Sequence, residues 1–589
     1  MSQGGRTQNK PFAPTRTATA FGLLLLLIAL RPAPLRAQPL RPAYTDTLRA
    51  LVVFARFSDD RFPGDPSLNA RDWPVTGAPE RPPAFARRLL APSPEPPFPD
   101  SSLTAYFFTQ SNGRFLLFGD VLDSIMVSLH PEAHYHRPNG GYGDLTRELL
   151  DRLDRAGFDF TPYDHNRDGR LDHLFVILRG DSKRDDKTFA WTGVSCLDAR
   201  CGPGPPHGPP RERPIHDGLE VDWNTSGSII LHRTPGNVLP YHYLIRMMAH
   251  ELGHDLWAEF FVHVPAIVAN DAPLRSNRSP RGTDALGYAL MAGAGGGRDC
   301  RGDQTISAFE RDLLGWIDCE TTTEGRDGIR LTDLYTTSAC VKIPLENDAR
   351  GRTLYLTNRQ RLGPFDRLRR AGAFGQYDFG LLRTAGLLVT MREGVRFDVL
   401  PADDNLDLSI FDADYDGDLF GPGTKRQLTP WTRPNMSGFT RYPPGFRPDW
   451  RALDDVRYTG APGGEMAFDL VEDFRERPVI RADSWIGDET KGFTFTRPMR
   501  VTNRSTLTLG TKLTFARALR LEPGATVVVS PNALVTIPPG GLLDLKAGAR
   551  VVVEGTLVLD GLLGFTPGAM LIARDGGRIV SRVARKTVR

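Results

Sequence analysis

The sequence predicts an α+β chain whose character changes twice, from a helix-and-strand region to a β-rich module and then to a C-terminal β-solenoid. Three observations predict it. Up to about residue 325, strand-like and helix-like runs alternate: "TLRALVVFARFSDD" (47–60) clusters apolar and β-branched residues as a buried strand does, while "GDLTRELLDRLDRAG" (143–157) has apolar residues at 145, 149, 150 and 153, the spacing of one helix face. From about 325 to 475 the text becomes short strand-like pieces broken by Gly, Pro and Asp. Over the last hundred residues a turn-plus-strand pattern recurs, with Gly524, Gly540 and Gly548 separated by multiples of eight and Gly555, Gly561 and Gly568 slightly closer. Short β runs punctuated by Gly predict stacked solenoid rungs, with a sandwich of short strands as the alternative.

At 589 residues the chain is too long for one core, and two or three domains are expected. The readings place a zinc-site region at 44–325, the β-rich module at 326–478 and the repeat at 479–589. Ahead of them, Arg6, Lys10 and Arg16 precede the apolar run "FGLLLLLIAL" (21–30), and Ala37 in "LRAQP" offers a small residue for cleavage. That order predicts a secretory signal peptide over 1–37. The alternative, a membrane anchor, needs more apolar residues to cross about 30 Å of hydrocarbon. A secreted location follows. In an oxidising compartment Cys196, Cys201, Cys300, Cys319 and Cys340 can pair, with Cys196–Cys201 the simplest loop and one thiol left over. Charge is nearly balanced, 73 basic against 70 acidic residues, so nothing in it calls for nucleic acid as a partner.

Within the first region, "SLTAYFFTQSNGRFLLFGDVLDS" (102–124) predicts a short helix, an Asn-Gly turn and a strand, and Gly157 ends the helix of 143–157. The Pro-rich stretch 74–99 reads as an irregular surface loop. Pro240 then stands before "YHYLIRMMAHELGHDLW", a good place for a helix to start. On that helix His250 and His254, four residues apart, share one face and can hold one Zn²⁺ together. Glu251 can reach a water on that metal, whose pKa zinc lowers from about 15.7 toward about 7, and serve as general base for peptide hydrolysis. Leu244, Met248, Leu252 and Leu256 predict that the rest of the helix is buried. Downstream, "GYALMAGAGGG" (287–297) places a Met in a Gly-rich turn, as underlies the metal in one large group of zinc peptidases, though packing alone also favours such a Met.

These segments resemble the immune inhibitor A family of secreted bacterial metallopeptidases. The resemblance is carried by "YFFTQSNGRFLLFGDV", "FDFTPYDHNRDGRLDHLFVILRG" (158–180), the zinc helix, "GYALMAG", "ISAFERDLLGWID" (306–318), "LYLTNRQRLGPFD" (354–366), "GLLVTMREG" (386–394) and "DADYDGDLFGPG" (412–423), over most of residues 48 to about 470. It implies a metzincin-like zinc endopeptidase acting on proteins or peptides. The family continues its second His as His-x-x-Gly-x-x-Asp; here Trp257 and Phe260 stand at the Gly and Asp positions. Phe cannot bind zinc, so Glu259 is the first candidate for third ligand. A helix continuing through Trp257 would turn Glu259 about 140° away from His254, which leaves His263 and Asp271 as alternatives. A degenerate peptidase fold serving as a surface adhesion or binding protein is the rival reading.

A second cation is expected at "DHNRDGRLD" (164–172): Asp164, Asn166, Asp168 and Asp172 by side chain and Arg170 by carbonyl suit Ca²⁺, with an unliganded Asx-turn as the alternative. Asp412, Asp414, Asp416 and Asp418 form a weaker calcium candidate. His130, His134 and His136 read as loop histidines, and neither Ser195 nor Ser307 has a nucleophile signature. The repeat domain carries no catalytic pattern, and contact with a cell surface or polysaccharide is its expected role.

Overall fold

The computed structural model describes residues 47–581 apart from 60–80, 93–101, 136–140, 182–192, 195–213, 222–227, 258–288, 292–305, 363–368, 371–377, 404–416, 439–447 and a few breaks of five residues or fewer. The predicted signal peptide therefore lies outside the described residues. Among the described residues no helix is long and apolar enough to cross a membrane.

The first region is built on one sheet. Strands β1 (Thr47–Arg56), β2 (Leu116–Val121), β3 (Met126–Val127), β4 (His173–Asp181), β5 (Gly193–Val194), β6 (Ser228–Thr234) and β7 (Asn237–Val238) form it in the order β2-β1-β4-β6-β5, with β3 beside β1 and β7 beside β6. The long neighbours β2, β1, β4 and β6 are parallel, and β5 and β7 run antiparallel to β6. A parallel sheet needs cover on both faces, which is why the core of β1 is apolar at every position rather than at alternate ones. Its Ala50, Val52 and Phe54 pack with helices α1 (Leu103–Gln110) and α3 (Tyr241–Leu256). Its Leu51, Val53 and Ala55 pack with Leu145, Leu149, Leu150 and Leu153 of α2 (Gly141–Arg155) on the other side. The apolar positions of 143–157 are the ones that meet the sheet, and Gly157 takes a positive φ of 77° just past the helix.

Part of the Pro-rich stretch is not surface loop. Around the 3₁₀ turn Ala86–Arg88, Ala86, Leu89 and Leu90 are buried in the same core as α1, and Phe85 meets Phe54 edge-on at 6.1 Å. Leu103 N donates to Leu89 O at 2.7 Å, so the chain is pinned across its Pro-rich surroundings. Four apolar residues outweighed the irregular backbone that the prolines impose.

The middle region is a sandwich. A sheet of Glu320–Thr321, Val341–Pro344, Thr353–Arg359, Gly386–Glu393 and Arg396–Val399 faces a second of Arg326–Leu331, Met466–Val471 and Ala452–Tyr458. Ile343, Leu354, Leu356 and Val389 meet Ile329, Phe468 and Leu470 between them. Residues of the opposite parity, Tyr355 and Leu388, with Phe397, join the core of the first region, where Phe397 stacks on Phe309 at 5.5 Å. The disulfide Cys319–Cys340 lies at this seam. The pairing expected at Cys196–Cys201, with Cys300, lies outside the described residues.

From Val479 to Ser581 the chain forms a β-solenoid: three five-stranded parallel sheets, each turn contributing one strand to each sheet. Leu507 sits beside Val527, Val527 beside Val551 and Val551 beside Leu571, steps of 20, 24 and 20 residues per turn. The eight-residue glycine spacing is thus one strand with its corner, a third of a turn. Gly524, Gly548 and Gly568 all take positive φ at stacked corners, and Gly548 N donates to Gly568 O at 3.1 Å. Strands alternate buried and half-exposed residues, so two columns of side chains from each sheet fill the interior. The first rung is covered by Trp431 and Phe474, which belong to the solenoid core; Trp431 meets Phe474 at 5.4 Å and Phe495 at 5.6 Å. Among the described residues the last rung has no cover: Phe565, stacked on the buried Leu545, is 48% exposed.

Candidate metal centre

Helix α3 runs from Tyr241, just after Pro240, and its next Gly is Gly253. Leu244, Ile245, Met248, Ala249, Leu252 and Leu256 form its buried face. The turn-to-turn repeat then brings His250, Glu251 and His254 together: one ligand atom from each lies within 4.8 Å of the others, the only such group of three or more among the described residues. The two imidazoles stand perpendicular at a centroid distance of 5.0 Å. His250 Nδ1 donates to Leu290 O at 2.9 Å, which leaves Nε2 as the atom with a lone pair for a metal.

Glu251 is nearly fully buried, and its Oε2 has no hydrogen-bond partner among the described residues; His254 Nε2 lies 3.8 Å away. Burial pushes the carboxyl up to about 8. A buried carboxyl with an unsatisfied oxygen beside two imidazoles is poorly matched to an apolar surrounding and well matched to a divalent cation. Two histidines with a carboxylate suit Zn²⁺, and an ion between them would draw Glu251 back toward its ionised form.

The support under the site comes from residues far along the chain. Met291 is fully buried against α3, and a Cβ added to Gly253 would lie 2.2 Å from its Sδ, so the Gly inside "HELGH" is a packing requirement. Glu310, in α4 (Ala308–Leu313), accepts from Leu290 N at 3.0 Å and Met291 N at 2.7 Å, and also from Ser307 N and Ser307 Oγ. Burial pushes its carboxyl up, while these four donors pull it down. Ser307 Oγ in turn accepts from Glu310 N, closing a capping box, which gives Ser307 a structural task. Gln110 of α1 accepts from Ile306 N at 3.1 Å and from Arg311 Nη2, tying α4 to α1. Sequence reasoning singled out neither Gly253 nor Glu310, although Ser307-x-x-Glu310 was legible as a helix start.

Trp257, at the position of the resembling family's glycine, is buried. Its indole N donates to Glu310 O at 3.0 Å and its ring meets Trp316 edge-on at 5.9 Å. Trp257 N still bonds Gly253 O at 3.0 Å, so the helical ladder reaches this residue rather than breaking at it. Glu259, Phe260, His263 and Asp271 all lie outside the described residues.

The other predicted sites are placed as follows. In the loop 164–172, Asp164, Asn166 and Asp168 accept from amides of Asp168, Gly169 and Arg170, an Asx-turn arrangement, and Asp172 is buried at its end. Asp412, Asp414 and Asp416 lie outside the described residues, and Asp418 is buried. His130 and His134 are exposed and stacked at 3.9 Å, and His136 lies outside the described residues, as does Ser195. No protein-family model matches the chain, and no curated protein matches its sequence.

Proposed function

We propose that the chain is a secreted zinc-dependent endopeptidase of the immune inhibitor A-like, metzincin-like type, with proteins or peptides as substrates. The observation that carries this is the convergence of His250, Glu251 and His254 within 4.8 Å, on a buried helix, with the ring of His250 oriented by Leu290 O. Zinc, when bound by His250 and His254 with a third ligand among Glu259, His263 and Asp271, supplies a Lewis acid that works at neutral pH. The chain's own residues do the rest. Glu251, anchored by α3 with its carboxyl turned toward His254, takes a proton from the attacking water and delivers it to the leaving amine nitrogen. Leu290 O, in the turn whose amides Glu310 accepts from, orients the ring of His250.

The solenoid, in this reading, holds the enzyme against a cell surface or a polysaccharide. The test of the activity is hydrolysis of a general protein substrate by the wild type and by Glu251→Ala, with and without a zinc chelator. A loss of about 10²–10⁴-fold in the variant is expected, with comparable loss on chelation and recovery on adding zinc. Equal low activity in all samples would sink the peptidase reading and favour a degenerate scaffold used for adhesion.

A further inference from the structure

The three faces of the solenoid follow one strand pattern but do not carry the same surface. On two of them one outward column is uncharged: Thr508, Val528 and Val552 lie side by side on the first, Thr514, Thr536 and Val558 on the second. Cations begin some of their strands, Lys512, Arg550 and Arg578, but none stands beside another. On the third face the corresponding column sets Arg500, in Met499–Val501, directly beside Arg520, in Ala518–Leu521. Three residues before each, Arg497 and Arg517 are exposed at the corner leading into these strands. Two Arg-x-x-Arg units are thus stacked one turn apart. Like charges side by side destabilise a sheet, and the next turn abandons them: Asp544 follows Arg520 in the column and pairs with Lys546 at 3.2 Å.

Two carboxylates reach these arginines. Glu476 accepts from Arg497 Nε at 2.7 Å, and Glu522 Oε1 lies 3.4 Å from Arg500 Nε. Arg517 and Arg520 have no ion pair among the described residues. Four guanidinium groups against two carboxylates leave the face with surplus positive charge. Surface ion pairs of this kind are weak, whereas the forked donors of arginine hold a ligand carboxylate through two parallel hydrogen bonds.

We propose that this face binds a linear polysaccharide of uronic acids, with Arg497 and Arg500 of one turn and Arg517 and Arg520 of the next holding the carboxylates of successive sugars. This names the partner for the surface attachment given to the solenoid above, and it rests on that reading. Cations repeated at a constant pitch suit a polymer that repeats its charge. The step of about 4.8 Å from strand to strand is close to the length of one sugar unit. It exceeds the step of about 3.4 Å along one strand of duplex DNA. Between the arginines stand Pro498, Met499, Ala518 and Leu519, none of them an aromatic ring on which a base could stack. Met499, Ala518 and Leu519 are buried, so this part of the face offers a bilayer no apolar side chain to insert.

The test measures binding of the full chain to immobilised polygalacturonate in calcium-free buffer over a range of salt. Wild type should bind saturably, be released as salt rises, and ignore the fully methyl-esterified polymer, which lacks the carboxylates. Arg517→Ala combined with Arg520→Ala should bind about tenfold more weakly or worse, with a shallower salt dependence, while unfolding at the wild-type temperature. Lys512→Ala combined with Arg550→Ala removes two cations from the other faces and should bind as wild type does. Equal weakening in the two double variants, or none in the first, overturns the assignment to this face. Tighter binding of duplex DNA or of phosphatidylserine vesicles than of polygalacturonate overturns the choice of partner. A chain that binds a neutral glucan but not polygalacturonate overturns this proposal and leaves surface attachment standing; a chain that binds no polysaccharide and no cell wall removes both. None of these readouts depends on peptide hydrolysis.

Discussion

The solenoid and the candidate metal centre are built on opposite principles. In the solenoid strands pair with strands 20–24 residues away, in the turn before and the turn after, the end turns on one side only. In the candidate metal centre the partners are 40 residues apart for His250 and Leu290, 20 for Leu290 and Glu310, and 196 for Gln110 and Ile306. A stack of near neighbours is stabilised turn by turn, so a defect in one rung stays local. A site assembled from distant segments depends on each of them holding its place. The two regions should therefore answer mutation differently.

The largest effect on stability is expected inside the solenoid. Leu543, buried in a middle rung, should cost about 2–5 kcal/mol when changed to Ala, measured by denaturant unfolding, with zinc affinity unchanged. If zinc binding weakened in parallel, the two regions would be coupled more tightly than their contacts indicate. Glu310→Gln comes next, at about 3 kcal/mol, because an amide nitrogen would face donors that now point at a carboxylate oxygen. In this case zinc affinity should fall with stability, since the Leu290–Met291 turn loses its anchor. Gly253→Ala should cost about 1–3 kcal/mol through the clash with Met291. Gly253→Ala paired with Met291→Ala should recover part of that loss. The smallest effect is expected for Leu562→Ser in the open last rung, under about 0.5 kcal/mol.

The boundary between the middle sandwich and the solenoid also bears on any truncation. Removing 480–589 to test the solenoid's role would strip Trp431 and Phe474 of Phe495 and the rungs beneath them. A shortened chain is expected to lose solubility for that reason alone. The cleaner experiment removes the last rung, from 562 onward, where the interior is already partly open.

Legibility followed the same division. Repeats carry their own period, and Gly524, Gly548 and Gly568 marked the corners; the period was read as eight because a strand with its corner, not the whole turn, is what recurs in composition. The Asn112-Gly113 turn, the start of α3 and the paired histidines were also local, and each sits where its residues put it. The stretch 74–99 misled because prolines report backbone conformation, whereas Phe85, Leu89 and Leu90 report burial, and burial won. Glu310 escaped notice because a capping-box Glu looks alike whether it serves one helix or also the backbone of a turn 20 residues earlier.

By itself the sequence determined where an i, i+4 pair of histidines with a neighbouring carboxylate lies, since helix geometry is a matter of adjacent residues. It also determined that the C-terminus repeats, since stacking needs only a regular alternation of apolar residues and turns. The tertiary structure decided which nitrogen of His250 is available, why residue 253 has no side chain, and that Trp257 closes the helix end by packing rather than by breaking it. Those are contacts between segments brought together only by the burial of the whole core, and no local pattern encodes them.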